Sequence, residues 1–175
     1  HGEKGGLRWN LKLEKYYGAD ANVTDLAAED LDGKGLLTVL AATNGWKLYA
    51  VNPDGSVRWE SFVFYHPLTK VKWLREPSRK LIAVGTVYQS PLNVVDPATG
   101  EVVWFTWEQT GSEAMSTTDY CGKNLRDVVF LDTDGDGAKE IVFGTASNQV
   151  IALDAADGRT KWMTRVGDAI TALKI

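Results

Sequence analysis

The chain has 175 residues, 44% of them hydrophobic, which is the share expected of one ordinary globular domain. Its apolar runs, such as 39–42, 62–65 and 102–105, are far shorter than the roughly 18 residues of a bilayer-spanning helix, so no membrane span is predicted. The net charge is −4 without a basic run, which argues against nucleic-acid binding, and the single cysteine, Cys121, excludes an internal disulfide. A chain that begins at His1 is expected to be processed, tagged or an excerpt of a longer protein.

A Gly-x-x-x-Trp motif recurs along the chain and marks an internal repeat. In the last three copies, a short alternating run ending in Asn or Asp precedes the glycine, and a second run holds the tryptophan. This pattern is typical of a β-hairpin whose glycine supplies a positive φ. The copies join Gly5 to Trp9, Gly55 to Trp59, Gly100 to Trp104 and Gly158 to Trp162.

Two further strands are predicted before each complete hairpin, which gives four short strands per repeat. In chain order they are Val23 to Ala28, Leu37 to Thr43, Thr69 to Leu74, Leu81 to Thr86, Leu125 to Leu131 and Ile141 to Thr145. The sequence therefore predicts an all-β fold of β-propeller blades, each with four antiparallel strands, with three complete blades plus two partial terminal strands. An all-β sandwich or barrel is the alternative.

The blade boundaries follow from these strands. Residues 6–13 are predicted as the last strand of one blade and 169–175 as the first strand of another. We expect either an excerpt of a larger propeller or a homo-oligomer paired through these terminal edge strands. The divisions are 1–22 for the preceding strand and linker, 23–66 for a blade, 67–122 for a blade with a loop insertion at 105–123, 123–166 for a blade with an acidic loop, and 167–175 for the following strand.

The hairpins resemble the repeat of the pyrroloquinoline-quinone-like (PQQ-like) propellers, Ala-x-Asp-x-x-Thr-Gly-x-x-x-Trp. The matching residues are Asp96, Thr99, Gly100 and Trp104 in one repeat, and Ala152, Asp154, Gly158 and Trp162 in the next. The resemblance implies a structural role between neighbouring blades for Trp9, Trp59, Trp104 and Trp162. It does not imply the quinone, since a quinone dehydrogenase would carry a vicinal cysteine pair. We expect no quinone and assign no catalytic residue.

An acidic loop, Asp132-Thr-Asp134-Gly-Asp136-Gly-Ala-Lys-Glu140, precedes a predicted strand. Alternating carboxylates separated by glycines converge on one point, and Glu140 with the carbonyl of Ala138 can complete a shell of hard oxygen ligands that suits Ca²⁺. The loop resembles the calcium loops of FG-GAP and VCBS propellers, which implies a structural Ca²⁺ held by Asp132, Asp134, Asp136, Ala138 and Glu140. The metal-free alternative is a turn in which the Asp side chains cap their own backbone.

The same loop positions differ in the other repeats. In the first repeat they hold Asp30, Asp32, Lys34 and Thr38, which predicts that Lys34 neutralises the two carboxylates in place of a metal. A weakly bound residual ion in this loop is the alternative. In the second repeat they hold Trp73, Arg75, Pro77 and Leu81, so no metal is expected there.

Propeller geometry, as the resemblance implies it, divides the loops between two faces. The acidic-loop face holds the loops between first and second strands and the hairpins, and the connection face holds the inter-blade connections and the loops between second and third strands. Aromatic and polar residues on the connection face suit stacking and hydrogen bonding to sugar rings. The predicted ligand-binding residues are Tyr17, Trp46, Tyr65, His66, Tyr88, Trp107, Asp119 and Tyr120.

These observations predict a non-enzymatic, calcium-stabilised β-propeller module that binds a polysaccharide through the connection face. The alternatives are a protein-assembly scaffold and the non-catalytic part of a propeller polysaccharide lyase or hydrolase. The calcium loop and the family resemblance imply an extracytoplasmic bacterial location, whether periplasmic, secreted or at the cell surface.

Overall fold

The computed structural model describes residues 7–16, 18–62, 66–76, 79–87, 92–106, 125–168 and 170–174. A helix able to cross a bilayer is absent from these residues. They contain the strands β1 (Val23–Glu29), β2 (Thr38–Thr43), β3 (Lys47–Val51), β4 (Val57–Phe62), β5 (Leu68–Glu76), β6 (Arg79–Thr86), β7 (Leu92–Val95), β8 (Val102–Phe105), β9 (Leu125–Leu131), β10 (Glu140–Thr145), β11 (Gln149–Leu153) and β12 (Thr160–Arg165).

Each group of four consecutive strands forms one antiparallel sheet with its strands in chain order. We call the sheet β1–β4 blade 1, β5–β8 blade 2 and β9–β12 blade 3. The predicted all-β architecture is therefore confirmed within the described residues. The predicted terminal strands are not, since residues 7–13 and 170–174 belong to none of the three sheets.

The last hairpin of each blade has the same local geometry. Its glycine adopts a positive φ of 89° at Gly55, 79° at Gly100 and 74° at Gly158. The register between the third and fourth strands shifts one residue before the turn in all three blades. Because only glycine adopts such a φ without strain, the spacing of the motif fixes the position of the turn.

The apolar core lies between neighbouring blades. One cluster of buried side chains joins blades 1 and 2 and includes Leu40, Leu48, Leu68 and Ile82. A second cluster joins blades 2 and 3 through side chains such as Leu92, Leu125, Phe143 and Leu153. Since each blade supplies part of the core of the next, the blades are stabilised by stacking rather than singly.

The motif tryptophans lie against the hairpin glycines of the following blade. A Cβ atom on Gly55 would lie 2.6 Å from Cγ of Trp9, and one on Gly100 would lie 2.7 Å from Cε3 of Trp59. The indole N–H groups of these two tryptophans donate to the carbonyls of Pro53 and Pro97, each at 3.1 Å. Glycine is thus required at the contact both by its φ and by the space that the indole occupies.

The other two motif tryptophans, Trp104 and Trp162, differ from each other in burial and in contacts. Trp104 is buried, and a Cβ atom on Gly158 would lie 2.7 Å from its Cε3. Trp162 is 38% exposed and donates from Nε1 to Oγ1 of Thr133 in its own blade at 3.1 Å.

Carboxylates on the first strands of blades 1 and 3 accept hydrogen bonds from the segment that follows each blade. The N–H of Val71 donates to Asp25 at 3.0 Å, and the N–H of Leu173 donates to Asp127 at 2.9 Å. Residues 170–174 therefore lie along blade 3 as β5 lies along blade 1.

Candidate functional site

The acidic loop of blade 3 is organised by its own backbone amides. Asp132 accepts hydrogen bonds from the N–H groups of Gly135 at 2.7 Å and Gly137 at 3.0 Å. Both glycines have a positive φ, which turns their amides toward the carboxylate. Asp136 accepts from the N–H of Ala138 at 2.8 Å. The loop thus makes the Asp-capped turn that the sequence offers as the metal-free arrangement, and these bonds leave carboxylate lone pairs for a further partner.

Three carboxylates of this loop converge, as the sequence predicts. One oxygen each from Asp132, Asp134 and Asp136 lies within 4.8 Å of the other two. Oxygen donors at this spacing have the chemistry and the separation that Ca²⁺ requires. The donor set therefore fits a hard divalent cation.

Lys161 also reaches this cluster, and sequence reasoning misses it. Its ammonium lies 2.6 Å from Oδ2 of Asp134, 3.1 Å from Oε1 of Glu140 and 3.5 Å from Oδ2 of Asp136. These carboxylates, Asp134 first and then Glu140, hold the pKa of Lys161 above its usual value. In turn, the hydrogen bond from Lys161 lowers the pKa of Asp134. Lys161 thus supplies a positive charge to the loop from the last strand of the blade.

Glu140 is the buried member of the cluster, with 1% of its surface exposed. Its Oε2 accepts from both the N–H and the hydroxyl of Thr133, each at 2.7 Å. Burial alone raises the pKa of Glu140, but the hydrogen bonds from Thr133 and Lys161 outweigh it, so the pKa is lowered. The residue is therefore ionised and fully partnered at neutral pH.

The loop of blade 1 repeats the turn with a different cation. Asp30 accepts from the N–H groups of Lys34 at 3.0 Å and Gly35 at 2.7 Å. Asp32 accepts two hydrogen bonds from the guanidinium of Arg58, at 2.9 and 2.8 Å. This bidentate pair lowers the pKa of Asp32, to which the charge of Lys34 contributes less. The predicted pairing of Lys34 with Asp30 and Asp32 is wrong: the ion pair in this loop joins Arg58 to Asp32, and Asp30 accepts from backbone amides instead.

The cation has the same sequence position in both blades. Arg58 directly precedes Trp59, and Lys161 directly precedes Trp162. In blade 2 the residue before Trp104 is Val103, and the equivalent loop lacks the alternating Asp residues. The position before the docking tryptophan is therefore the sequence signal that identifies the cation.

An aromatic cluster lies on the connection face of blade 1. The rings of Tyr16 and Phe62 stack with centroids 4.3 Å apart, and the Trp46 ring lies 6.2 Å from Tyr16 and 6.4 Å from Phe62. The Tyr16 amide donates to the carbonyl of Gly45 at 3.0 Å, which fixes this segment on the turn between β2 and β3. Because Tyr16, Trp46 and Phe62 come from three separate segments, only the folded chain brings them together. We call these three residues the aromatic cluster.

Trp46 adopts a backbone conformation that tryptophan disfavours. Its φ is 72°, in the left-handed region. The equivalent turn of blade 3 has Asn148, with a φ of 61°, and asparagine tolerates this region better than other non-glycine residues. Blade 1 thus keeps a large aromatic residue at a strained position, as is found at functional sites.

The other predicted ligand-binding residues are distributed as follows. His66 lies in the connection between blades 1 and 2, where burial lowers its pKa. Phe62, the last residue of β4, is not among the predicted ligand-binding residues. The predicted residues Tyr17, Tyr65, Tyr88, Trp107, Asp119 and Tyr120 lie outside the described residues.

Solved structures similar to this chain are β-propellers. The β-propeller domain of Myceliophteria thermophila Cps50 (Swd1) is 17% identical, with a TM-score of 0.63 over 87% of this chain and 44% of that chain. Saccharomyces cerevisiae Sqt1 is 12% identical, with a TM-score of 0.67 over 86% and 40%. BamB from Moraxella catarrhalis is 19% identical, with a TM-score of 0.50 over 86% and 39%. The chain is therefore a set of β-propeller blades, and it spans about two fifths of the length of these structures.

The repeats can be assigned more closely. Residues 89–173 match the family model described as outer membrane protein assembly factor BamB. This match, together with the Trp and Gly contacts between blades, supports the predicted PQQ-like propeller repeats. No curated protein matches the chain.

Proposed function

We propose that this chain is part of a non-enzymatic β-propeller scaffold that binds another protein, in an extracytoplasmic bacterial setting. The observation that carries the proposal is the match of residues 89–173 to the BamB assembly-factor family. The observed contacts of the repeat motifs are consistent with this role, since Trp9, Trp59 and Trp104 pack against the hairpin glycine of the following blade. The rigid blades would position the surface loops, and the loops would bind the partner.

The aromatic cluster is the proposed contact surface. Aromatic side chains are enriched at the centres of protein interfaces, where they bury a large area at a small cost in conformational entropy. Tyr16 is 52% exposed and its backbone is held on the Gly45 carbonyl, so the cluster is ordered before a partner binds.

Site-specific photocrosslinking in the bacterial source tests this proposal. A photoreactive residue at Tyr16 is expected to give a discrete adduct with one protein, which weakens in the Trp46→Asn variant. The matched control places the same group at Leu36, which is 63% exposed in the acidic loop of blade 1. Equal adducts from both positions, or no adduct from Tyr16, would contradict the proposal.

Polysaccharide binding is the second candidate function, and the stacked Tyr16 and Phe62 rings favour it. Flat aromatic faces suit the apolar faces of sugar rings. Electrophoresis through gels that contain a bacterial polysaccharide separates the two functions. Retardation that is lost in Trp46→Asn supports glycan binding, whereas unretarded migration of the native chain rejects it and leaves the protein-binding proposal standing.

We also propose a structural Ca²⁺ in the acidic loop of blade 3, held by Asp132, Asp134, Asp136, Glu140 and the carbonyl of Ala138. Support comes from the converging oxygens of the three aspartates and from the excess of carboxylates over the single ammonium of Lys161. The ion would compete with Lys161 for Asp134 and Glu140.

Calorimetric titration with calcium tests the metal site. The Lys161→Gln variant is expected to bind calcium more tightly than the native chain, because it removes the competing charge. The Arg58→Gln variant is the control, since it changes only blade 1. If neither the native chain nor Lys161→Gln releases heat or melts higher with calcium, the proposed Ca²⁺ site is rejected. Self-pairing through the terminal strands stays a prediction, which light scattering tests.

A further inference from the structure

A cleft of about 410 Å³ lies between the first strands of the three blades, β1, β5 and β9. It is bounded by Glu29 at the end of β1, by residues 72–75 of β5, by residues 128–130 of β9 and by Lys139 before β10. Its volume falls within the range of small-ligand sites. The aromatic cluster does not line it, and the acidic loop of blade 3 contributes only Lys139.

The charged groups of the cleft are mostly positive, although the chain carries a net charge of −4. Lys72, Arg75 and Lys139 line it together with a single carboxylate, Glu29. Among the described residues, none of these three cations is in an ion pair, whereas Arg58, Arg79 and Lys161 all are. The charge of Arg75 also acts on Asp30, although the two groups form no ion pair. Three clustered cations attract an anion more strongly than isolated surface charges do.

Lys139 is held in place across the blade boundary. Its N–H donates to Oε1 of Glu76 at 3.1 Å, and its carbonyl accepts from Nη2 of Arg79 at 3.2 Å. Glu76 and Arg79 pair with each other at 3.1 Å. The backbone of Lys139 is therefore fixed by blade 2 while its side chain lines the cleft, an arrangement that reduces the entropy lost on binding.

The cleft also combines polar and apolar contacts. The indole N–H of Trp73, which lines the cleft, is buried without an acceptor among the described residues. Leu74, Val128 and Phe130 supply apolar walls. The Trp73 N–H has less than 1 Å² of accessible surface, so the cleft offers a ligand apolar walls beside the charges of Lys72, Arg75 and Lys139.

We propose that this cleft binds a ligand that carries carboxylate groups, with Arg75 and Lys139 as its main charged contacts. Arginine pairs with carboxylate oxygens through two parallel hydrogen bonds, and lysine adds a compact positive charge. The carboxylates come either from a free small molecule or from the acidic side chains of a peptide segment. The proposal does not depend on the function assigned to the aromatic cluster.

Binding of two probes to the full chain tests the site and separates these sources. The probes are citrate and a hexaglutamate peptide, with hexaglutamine as the uncharged control, measured by calorimetry at low salt. Arg75→Gln and Lys139→Gln are each expected to weaken binding about 10-fold, the effect of losing one charge-assisted hydrogen bond. The control variant is Arg165→Gln, an exposed cation on β12 outside the cleft.

The outcomes are distinct. Binding of citrate alone assigns the site to a small carboxylate, and binding of hexaglutamate alone assigns it to a partner segment. Equal loss in Arg165→Gln, unchanged binding in both cleft variants, or no binding of either probe overturns the proposal. Both substitutions change side chains only and leave the backbone bonds of Lys139, so a circular-dichroism melt close to that of the native chain establishes that the variants are folded.

Discussion

Blades 1 and 3 neutralise their acidic loops with different cations. Each has an acidic loop between its first two strands, and each neutralises that loop with a cation that precedes the docking tryptophan. Blade 2 has Val103 at this position and lacks the alternating Asp residues. In these three blades the acidic loop and the cation therefore occur together or are both absent.

The two blades also differ where function is proposed. Blade 3 places a buried Glu140 beneath its loop, where blade 1 has Thr38. Blade 1 places Trp46 in the turn that blade 3 builds with Asn148. Shared positions hold the scaffold together, and departures from the repeat mark the candidate sites.

The largest expected effect tests the element that all three blades share. Gly100→Ala adds a Cβ atom 2.7 Å from the Trp59 ring at a φ of 79°, so clash and strain act together. We expect a loss of about 3 kcal/mol in the free energy of unfolding, measured in urea. Gly135→Ala is the matched control: its φ is 80° with nothing within 4 Å, and only about 1 kcal/mol of strain is expected. Equal losses would show that the indole contact is unimportant.

The second prediction compares the two cations. Lys161→Met leaves Glu140 buried without its ammonium partner, whereas Arg58→Met leaves Asp32 able to turn to water. We expect thermal melting to fall more for Lys161→Met, since an unpaired buried charge is costly. A larger loss for Arg58→Met would indicate that the bidentate pair of blade 1 is the stronger unit.

The pH dependence of melting sharpens the same comparison. The lowered pKa values of Asp134 and Glu140 mean that their contribution is present above their ordinary values and is lost as pH falls through the lowered ones. The raised pKa of Lys161 means that its contribution is complete below its ordinary value and is lost as pH rises through the raised one. The difference between the native chain and Lys161→Met should therefore be greatest between about pH 5 and 10 and shrink as the pH falls below the ordinary carboxyl pKa values. A pH-independent difference would contradict this assignment.

The smallest expected effect concerns the turn of Trp46. Trp46→Asn relieves about 1 kcal/mol of backbone strain and loses aromatic contacts of similar size, so the free energy of unfolding should change by less than about 1 kcal/mol. The reciprocal change, Asn148→Trp, introduces the strain without the aromatic neighbours. It should destabilise the chain by about 1 kcal/mol in the same urea titration. If both substitutions lower the free energy of unfolding by the same amount, the aromatic neighbours of Trp46 do not offset its backbone strain.

The repeat, the four-strand blades and the hairpin turns could be predicted from the amino-acid sequence. These features depend on short-range properties: alternation of apolar residues, the φ that glycine allows, and the fixed spacing from Gly100 to Trp104. The converging aspartates of the acidic loop were predictable for the same reason, because Asp132, Asp134 and Asp136 are close in the chain.

Contacts between residues far apart in the chain could not be predicted from the sequence. Lys161 lies 27 residues from Asp134, and Arg58 lies 26 from Asp32, so sequence reasoning chose the nearer Lys34. The aromatic cluster and the cleft around Lys139 likewise join segments that no local pattern connects. Backbone preferences are set within a few residues, whereas side-chain partners depend on how the sheets stack and are therefore fixed only by packing.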